Sequence, residues 1–250
     1  MMTLESSLLL KYADTFYGYG NYAGPIWFIG LEEGGGDNFE EVADKVTLWD
    51  TRGAAEIDDL RQHHHNSAPT SPWFRRYAKL QRTWARLIRV LLADSETSPS
   101  RDQLLSYQRE HLGRSDSDHC LLELFPLPSP RNEVFTYAKH FTLDHLQSRK
   151  KYELYYAPRR IKHIQQRIDE YRPPCVVLYG LKVHRWWEQH AGTQLRQSQE
   201  PGICIARRGD THFVAVEHPV AYGVPNAYFD SVGKYIKAIA PQCFHDKSPL

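Results

Sequence analysis

Three short polar clusters carry the side chains able to do chemistry, and each follows or ends an apolar run. Ile26-Trp27-Phe28-Ile29 leads into Gly30-Leu31-Glu32-Glu33-Gly34-Gly35-Gly36. His119 to Phe125 contains Glu123 and runs into Pro126-Leu127-Pro128-Ser129-Pro130-Arg131-Asn132. His212 to Glu217 ends in His218-Pro219-Val220-Ala221-Tyr222-Gly223. A carboxylate near a reacting carbon stabilises developing positive charge and activates water, and a fixed histidine N–H stabilises a leaving group that takes up negative charge. The glycine-rich loop lacks the Lys and Ser/Thr of a P-loop and does not fit GxGxxG, and its two acids would repel phosphates. There is no GxSxG elbow. The four cysteines (Cys120, Cys175, Cys204 and Cys243) form no CxxC pair, and His63-His64-His65 has no second ligand cluster. The expectation is a site with no metal and no cofactor.

The elements that must hold these clusters read as alternating strands and helices. Ile26 to Ile29, His119 to Phe125 and Cys175 to Tyr179 read as buried strands, and Ile203–Arg207 with His212–Glu217 as a hairpin around Arg208-Gly209-Asp210. Ser71-Pro72-Trp73 has the cap and first-turn signature of a helix, continued by Trp73, Tyr77, Leu80, Trp84, Leu87, Ile88 and Leu91. Further helices are expected over Pro158–Tyr171 and Asn226–Ala240, with a loose tail from Pro241. Residues 37–70 read as an irregular insertion. The class is α/β, with three α/β/α layers around a mainly parallel central sheet in a single domain over 1–250. Ligands in such sheets bind beyond the carboxyl ends of the strands, where the three polar clusters fall.

Composition narrows the partners. The chain has 250 residues, 41% of them hydrophobic and 24% charged, and a net charge of +1. That balance is ordinary for a globular protein and argues against one that coats nucleic acid non-specifically. No apolar run is long enough to span a bilayer, and Leu8 to Leu10 is too short for a signal core. A cytoplasmic monomer with no membrane partner is expected. Arg149 to Arg167 is a basic strip whose single acid is Glu153. Such a strip is either a solvated helix face or a surface for phosphates.

Taken in order, the three clusters resemble the motifs of the uracil-DNA glycosylase superfamily, over Ile26 to about Ile239. Its first motif follows strand one as GQDPY, GINPG or GEAPG; the chain has Gly30-Leu31-Glu32-Glu33-Gly34. A middle strand of the family ends in a base-reading Asn before a proline-rich loop; Glu123 stands there. The last motif, HPSPLS or a relative, is matched by His218-Pro219-Val220-Ala221-Tyr222-Gly223. The resemblance implies a glycosylase fold and an enzyme that flips a pyrimidine out of duplex or single-stranded DNA and cuts its N-glycosidic bond. Glu32, with Glu33 beside it, takes the catalytic acid position, and His218 that of the donor to the departing O2. Gly30, Gly34, Gly35, Glu123 and Phe125 take base-binding positions. Tyr222 falls where the family wedges a residue into the duplex, and Ser129, Arg131, Arg159 and Arg160 are the expected DNA contacts.

The departures bear on the substrate. Gly34 replaces a Tyr that blocks C5 substituents in uracil-specific enzymes. An ionised Glu123 only accepts hydrogen bonds, which suits the N4 amine of cytosine. Together they point to a C5-modified cytosine, such as glucosylated hydroxymethylcytosine in phage DNA, and to an antiviral branch. Three alternatives stay open: a uracil or 5-hydroxymethyluracil repair enzyme, should burial keep Glu123 protonated; a non-catalytic nucleic-acid binder; and another α/β hydrolase acting on nucleosides or nucleotides.

Overall fold

The structure, a computed structural model, describes residues 4–36, 38–67, 72–75, 77–93, 97–130 and 134–244, and of 65–67 the backbone alone. The main elements in chain order are α1 (Ser6–Thr15), β1 (Gly18–Gly20), β2 (Ile26–Glu32), α2 (Phe39–Thr51), β3 (Ile57–Asp58), α3 (Leu60–Ser67), α4 (Arg82–Leu91) and α5 (Arg101–Glu110). They continue with β4 (His119–Phe125), α6 (Arg149–Tyr171), β5 (Cys175–Tyr179), α7 (His184–Ala191), β6 (Arg196–Gln197), β7 (Cys204–Arg208), β8 (Thr211–Val216) and α8 (Asn226–Ile239). The strands form one sheet in the order β3-β1-β4-β2-β5-β8-β7-β6. Its centre, β4-β2-β5-β8, is parallel. β1 runs antiparallel to β4, and β7 and β6 run antiparallel at the other side. The sheet is therefore mixed, with the parallel character confined mostly to its middle.

The apolar runs explain that middle. Every residue of β5 and the first five of β2 are buried. A strand buried at consecutive positions has both faces covered, and only continuous runs such as Ile-Trp-Phe-Ile and Cys-Val-Val-Leu-Tyr tolerate it. The β7–β8 hairpin falls where alternation and the Arg-Gly-Asp turn place it. Among the described residues, no helix is long and apolar enough to cross a membrane.

Four expectations are corrected. Residues 37–70 are not irregular: α2, β3 and α3 fill most of the segment, with Val42, Val46 and Trp49 buried along one face of α2. The helix expected from Ser71 starts only at Arg82; Ser71 itself lies outside the described residues. Buried Gln108 explains the delay. Its amide donates to the carbonyls of Trp73 (2.8 Å) and Lys79 (2.9 Å) and accepts from the Gln81 N–H (2.9 Å), so tertiary bonds take backbone groups a helix would use. The Gln81 side chain then caps α4 by accepting from the Trp84 N–H at 2.7 Å. Helix α6 starts at Arg149, capped by Ser148, and runs through Pro158. Proline leaves the Leu154 carbonyl without its helical donor, but Leu154 and Pro158 both face solvent, where water serves instead. Finally, Pro241–Cys243 is an ordered turn of 3-10 helix with Cys243 buried against the Pro25 carbonyl; residues 245–250 lie outside the description.

Candidate active site at the strand ends

A cavity of about 540 Å3 opens at the carboxyl ends of β2, β4, β5 and β8. Glu32, Glu33 and Gly34 reach it from β2 and its loop, Glu123 from β4, Tyr179 from β5, and Glu217 and His218 from the end of β8. Its far wall is aromatic, with His64 of α3, Trp84 of α4, and Trp73 before that helix.

The sheet register creates the inner layer. Gly30 of β2 pairs with Glu123 of β4. A Cβ on Gly30 would lie 2.0 Å from the Tyr179 hydroxyl and 2.4 Å from Glu123 Oε2. Only glycine lets these two side chains meet across β2, where the Tyr179 hydroxyl donates to Glu123 Oε1 at 3.0 Å. Glu123 Oε2 is buried and has no hydrogen-bond partner among the described residues. Burial, and then the Glu33 charge, push the Glu123 carboxyl up to about 8.

The other two acids differ because each has its own cation. Glu32 Oε2 pairs with Arg149 Nη1 at 2.6 Å, and Arg149 also holds Glu153 at 2.8 Å. Burial raises the Glu32 carboxyl above its ordinary range, and Arg149 offsets only part of that rise. Glu32 Oε1 is buried without a partner among the described residues. Glu33 is paired with Lys45 of α2 and accepts from the Tyr19 hydroxyl at 3.1 Å. Burial works against its charge, but Lys45 and the nearby His63 hold the Glu33 carboxyl below its ordinary range. An unpaired buried carboxylate costs several kcal/mol and tends to take up a proton instead. Glu32 and Glu33 are thus each paired with a cation, whereas Glu123 has none among the described residues.

His218 has a defined tautomer. Its Nδ1 accepts from the Val220 N–H at 3.3 Å, which leaves the proton of the neutral ring on Nε2. Burial and then the Arg86 charge hold its pKa below the usual value, so the ring is neutral at pH 7. Its ring meets Tyr179 edge-on, with centroids 5.7 Å apart. The loop beyond it is tied at both ends by Arg86 of α4, which donates to the Pro219 carbonyl, to the Val224 carbonyl at 2.8 Å and to Asn226 Oδ1 at 3.3 Å. At the tip of that tied loop Tyr222 is fully exposed.

Of the residues expected from sequence, Glu32, Glu33, Gly34, Glu123, Ser129 and His218 line the cavity together. Gly30 lies beneath Glu123 and Tyr179. Gly34 and Gly35 have open space where a side chain would stand. The Ser129 hydroxyl is spent on the Val134 carbonyl at 2.8 Å. Two expectations are overturned by burial. Arg160 is not a phosphate contact: it is fully buried, donating to the carbonyls of Leu124, Ala13, Phe16 and Glu123 at 2.7–3.0 Å. It braces the strand end that carries Glu123. Phe125 does not line the cavity; its ring is buried beneath Arg149, whose guanidinium lies 5.2 Å from the ring centre. Arg159 is exposed and stacked on Tyr155 at 3.9 Å, and Arg131 lies outside the described residues. Sequence reading missed Tyr179, Lys45, Arg149 and Arg86 as site residues. Tyr179 had a signal, as the last residue of a strand before Gly180, and Arg149 opens the basic strip. Lys45 had none.

Searched against models of known families the chain matches none, and no curated protein matches it either.

Proposed function

We propose that this cavity is the active site of a metal-free DNA glycosylase of the uracil-DNA glycosylase kind, which flips a pyrimidine nucleotide and hydrolyses its N-glycosidic bond to leave an abasic site. The observation that carries the reading is that Glu32, Glu33, Glu123 and His218, drawn from three separate motifs, line one cavity. The placement of Glu32 and His218 on one cavity supports catalysis over binding alone.

The chemistry follows from the geometry. As the bond from C1′ to the base breaks, the sugar gains positive charge and the base negative charge. The Glu32 carboxylate, held by Arg149 through Oε2 and with Oε1 unpartnered among the described residues, stabilises the sugar cation and takes the proton of the attacking water. Glu33 adds a fixed negative charge. The His218 Nε2–H donates to O2 of the departing base, and a fixed donor at developing charge is a large catalytic factor. Tyr222, exposed beside the cavity wall at Val220 and Ala221, fills the gap left by the flipped nucleotide. The exposed Arg159 and the undescribed Arg131 remain the candidate phosphate contacts.

The open space at Gly34 and Gly35 supports a base carrying bulk at C5, with a C5-modified cytosine of phage DNA as the leading substrate. A second reading, a 4-oxo pyrimidine such as uracil or 5-hydroxymethyluracil, is favoured by the raised Glu123 carboxyl, since a protonated acid can donate to O4. We expect a cytoplasmic monomer that needs DNA alone as partner. The test is base release from duplex and single-stranded DNA carrying uracil, 5-hydroxymethyluracil, 5-hydroxymethylcytosine or its glucosylated form. Abasic sites are read by alkali cleavage, with Glu32→Gln as control. Release of any one of these bases, lost in the variant, supports the reading; silence on all of them from folded protein rejects it.

A further inference from the structure

Four acidic residues line the cavity, Glu32, Glu33, Glu123 and Glu217; of the three carried by β2, its loop and β4, two are answered by cations. Arg149 pairs with Glu32 and Lys45 with Glu33. No cation makes an ion pair with Glu123 among the described residues. The groups that face Glu123 are Glu32 and Glu33 from β2 and its loop, Tyr179 from β5, and Lys45 from α2, whose ammonium is engaged by Glu33. Arg160 of α6 meets only the Glu123 backbone carbonyl. Tyr179 donates to Oε1, and Oε2 is buried without a partner among the described residues. An oxygen so placed is stable as a hydroxyl and costly as an anion.

We infer that Glu123 stands in the cavity as a neutral carboxylic acid and selects a pyrimidine by its 3,4-edge, through one donor and one acceptor, for 4-oxo and 4-amino bases alike. The inference rests on the reading of the cavity as a pyrimidine pocket, and it replaces the ionised, amine-reading Glu123 expected from sequence. Each edge holds one acceptor and one donor: O4 with N3–H in a 4-oxo base, N3 with N4–H in a 4-amino base. A carboxylate has no donor for either acceptor. A carboxylic acid carries its proton on either oxygen, so it matches both edges by moving the proton and not the base. An oxygen that accepts from Tyr179 keeps a second lone pair for the substrate.

The experiment has two arms. First, the carboxyl carbons of glutamate-labelled protein are titrated by NMR without DNA, and Glu123 is assigned by its absence in Glu123→Gln. The expected midpoint is about 8. Tyr179→Phe, which removes a hydrogen bond that favours the anion, moves the midpoint upward and serves if the glutamine variant does not fold. A midpoint in the ordinary carboxylate range overturns the inference. Second, base release is followed against pH for a uracil and a 5-hydroxymethylcytosine duplex. Wild type loses about tenfold per pH unit above the midpoint on whichever base it releases, because one proton is needed. Glu123→Gln, which keeps a donor and an acceptor, stays flat. A flat wild-type profile overturns the base-reading role even where the midpoint is high. No release of any base rejects the pocket reading and the pairing with it, while the titration still decides the state of Glu123.

Discussion

Two glutamates of this chain sit in opposite surroundings. Glu56, just before β3, accepts from the Tyr22 hydroxyl at 2.7 Å, meets His163 Nε2 at 2.6 Å and takes Arg167 on both oxygens at 2.9 and 2.7 Å. Burial works against its charge, but the His163 and Arg167 bonds hold it down at about 2. Among the described residues Glu123 has one neutral donor, no paired cation and one oxygen without a partner, and burial holds it at about 8. The Glu56 cluster is complete and joins the loop before β3 to α6; nothing in it is left to offer a ligand. The cavity is incomplete, with Glu32 Oε1, Glu123 Oε2 and His64 Nε2 all buried and without a partner among the described residues. Buried polar groups left unsatisfied by the protein cost stability, and are most economically explained as waiting for something the protein binds.

The contrast predicts that changes in the cavity alter chemistry and changes in the Glu56 cluster alter stability. The largest effects are expected from Glu32→Gln and His218→Ala. Each lowers base release by roughly 10²–10³-fold, with the thermal midpoint little changed, in single-turnover assays and calorimetry. Equal losses of activity and stability would erase the distinction between the two regions. Arg86→Ala should come next. Freeing both ends of the loop after His218 costs about 10-fold to 100-fold in kcat. Because the Arg86 charge lowers the His218 pKa, its removal raises the His218 midpoint in an NMR titration. An unchanged midpoint would detach Arg86 from the site.

Tyr222→Ala is expected to weaken base release by about 10-fold, at the scale of one lost base-stacking contact. It should leave folding intact, since the side chain touches little of the protein. The smallest effect on activity, none, is expected from Glu56→Gln, which instead costs about 1–2 kcal/mol of stability after allowing for its partial exposure. The pH windows run in opposite directions. The folded pKa of Glu56 lies below its ordinary 4.5, so its contribution is present above that value and lost as pH falls toward 2. The folded pKa of Glu123 lies above 4.5, so its contribution is present below that value and lost as pH rises through 8. Wild type should therefore lose stability relative to Glu123→Gln between those limits, as measured by denaturant titration at several pH values.

The sequence made the site legible wherever a side chain ends a buried strand. Gly30 to Gly34, Glu123 and His218 were readable because a parallel strand forces an apolar run and a polar residue beyond it marks the strand end. What stayed hidden depends on contacts distant in sequence. Lys45 reaches Glu33 only because the segment 37–70 folds as helix and strand, although Val42, Val46 and Trp49 already had helical spacing there. Arg160 was misread because a basic strip on a helix looks alike whether an arginine faces water or four buried carbonyls. The residues before Arg82 were misread because Gln108, far along the chain, claims their backbone. The charge state of Glu123 stayed open in the sequence for the same reason: it depends on Arg149 and Lys45, distant in sequence, pairing with Glu32 and Glu33 and not with Glu123.

The most direct test of the central claim is a single-turnover reaction at pH 7 with excess protein and a DNA duplex carrying one C5-modified cytosine or one uracil. The released base is identified by mass spectrometry, with Glu32→Gln run beside wild type. Wild type is expected to give one free pyrimidine and one alkali-labile site per duplex, and the variant a reaction at least about 100-fold slower. Intact duplex from folded wild type, or release that Glu32→Gln leaves unchanged, would contradict it.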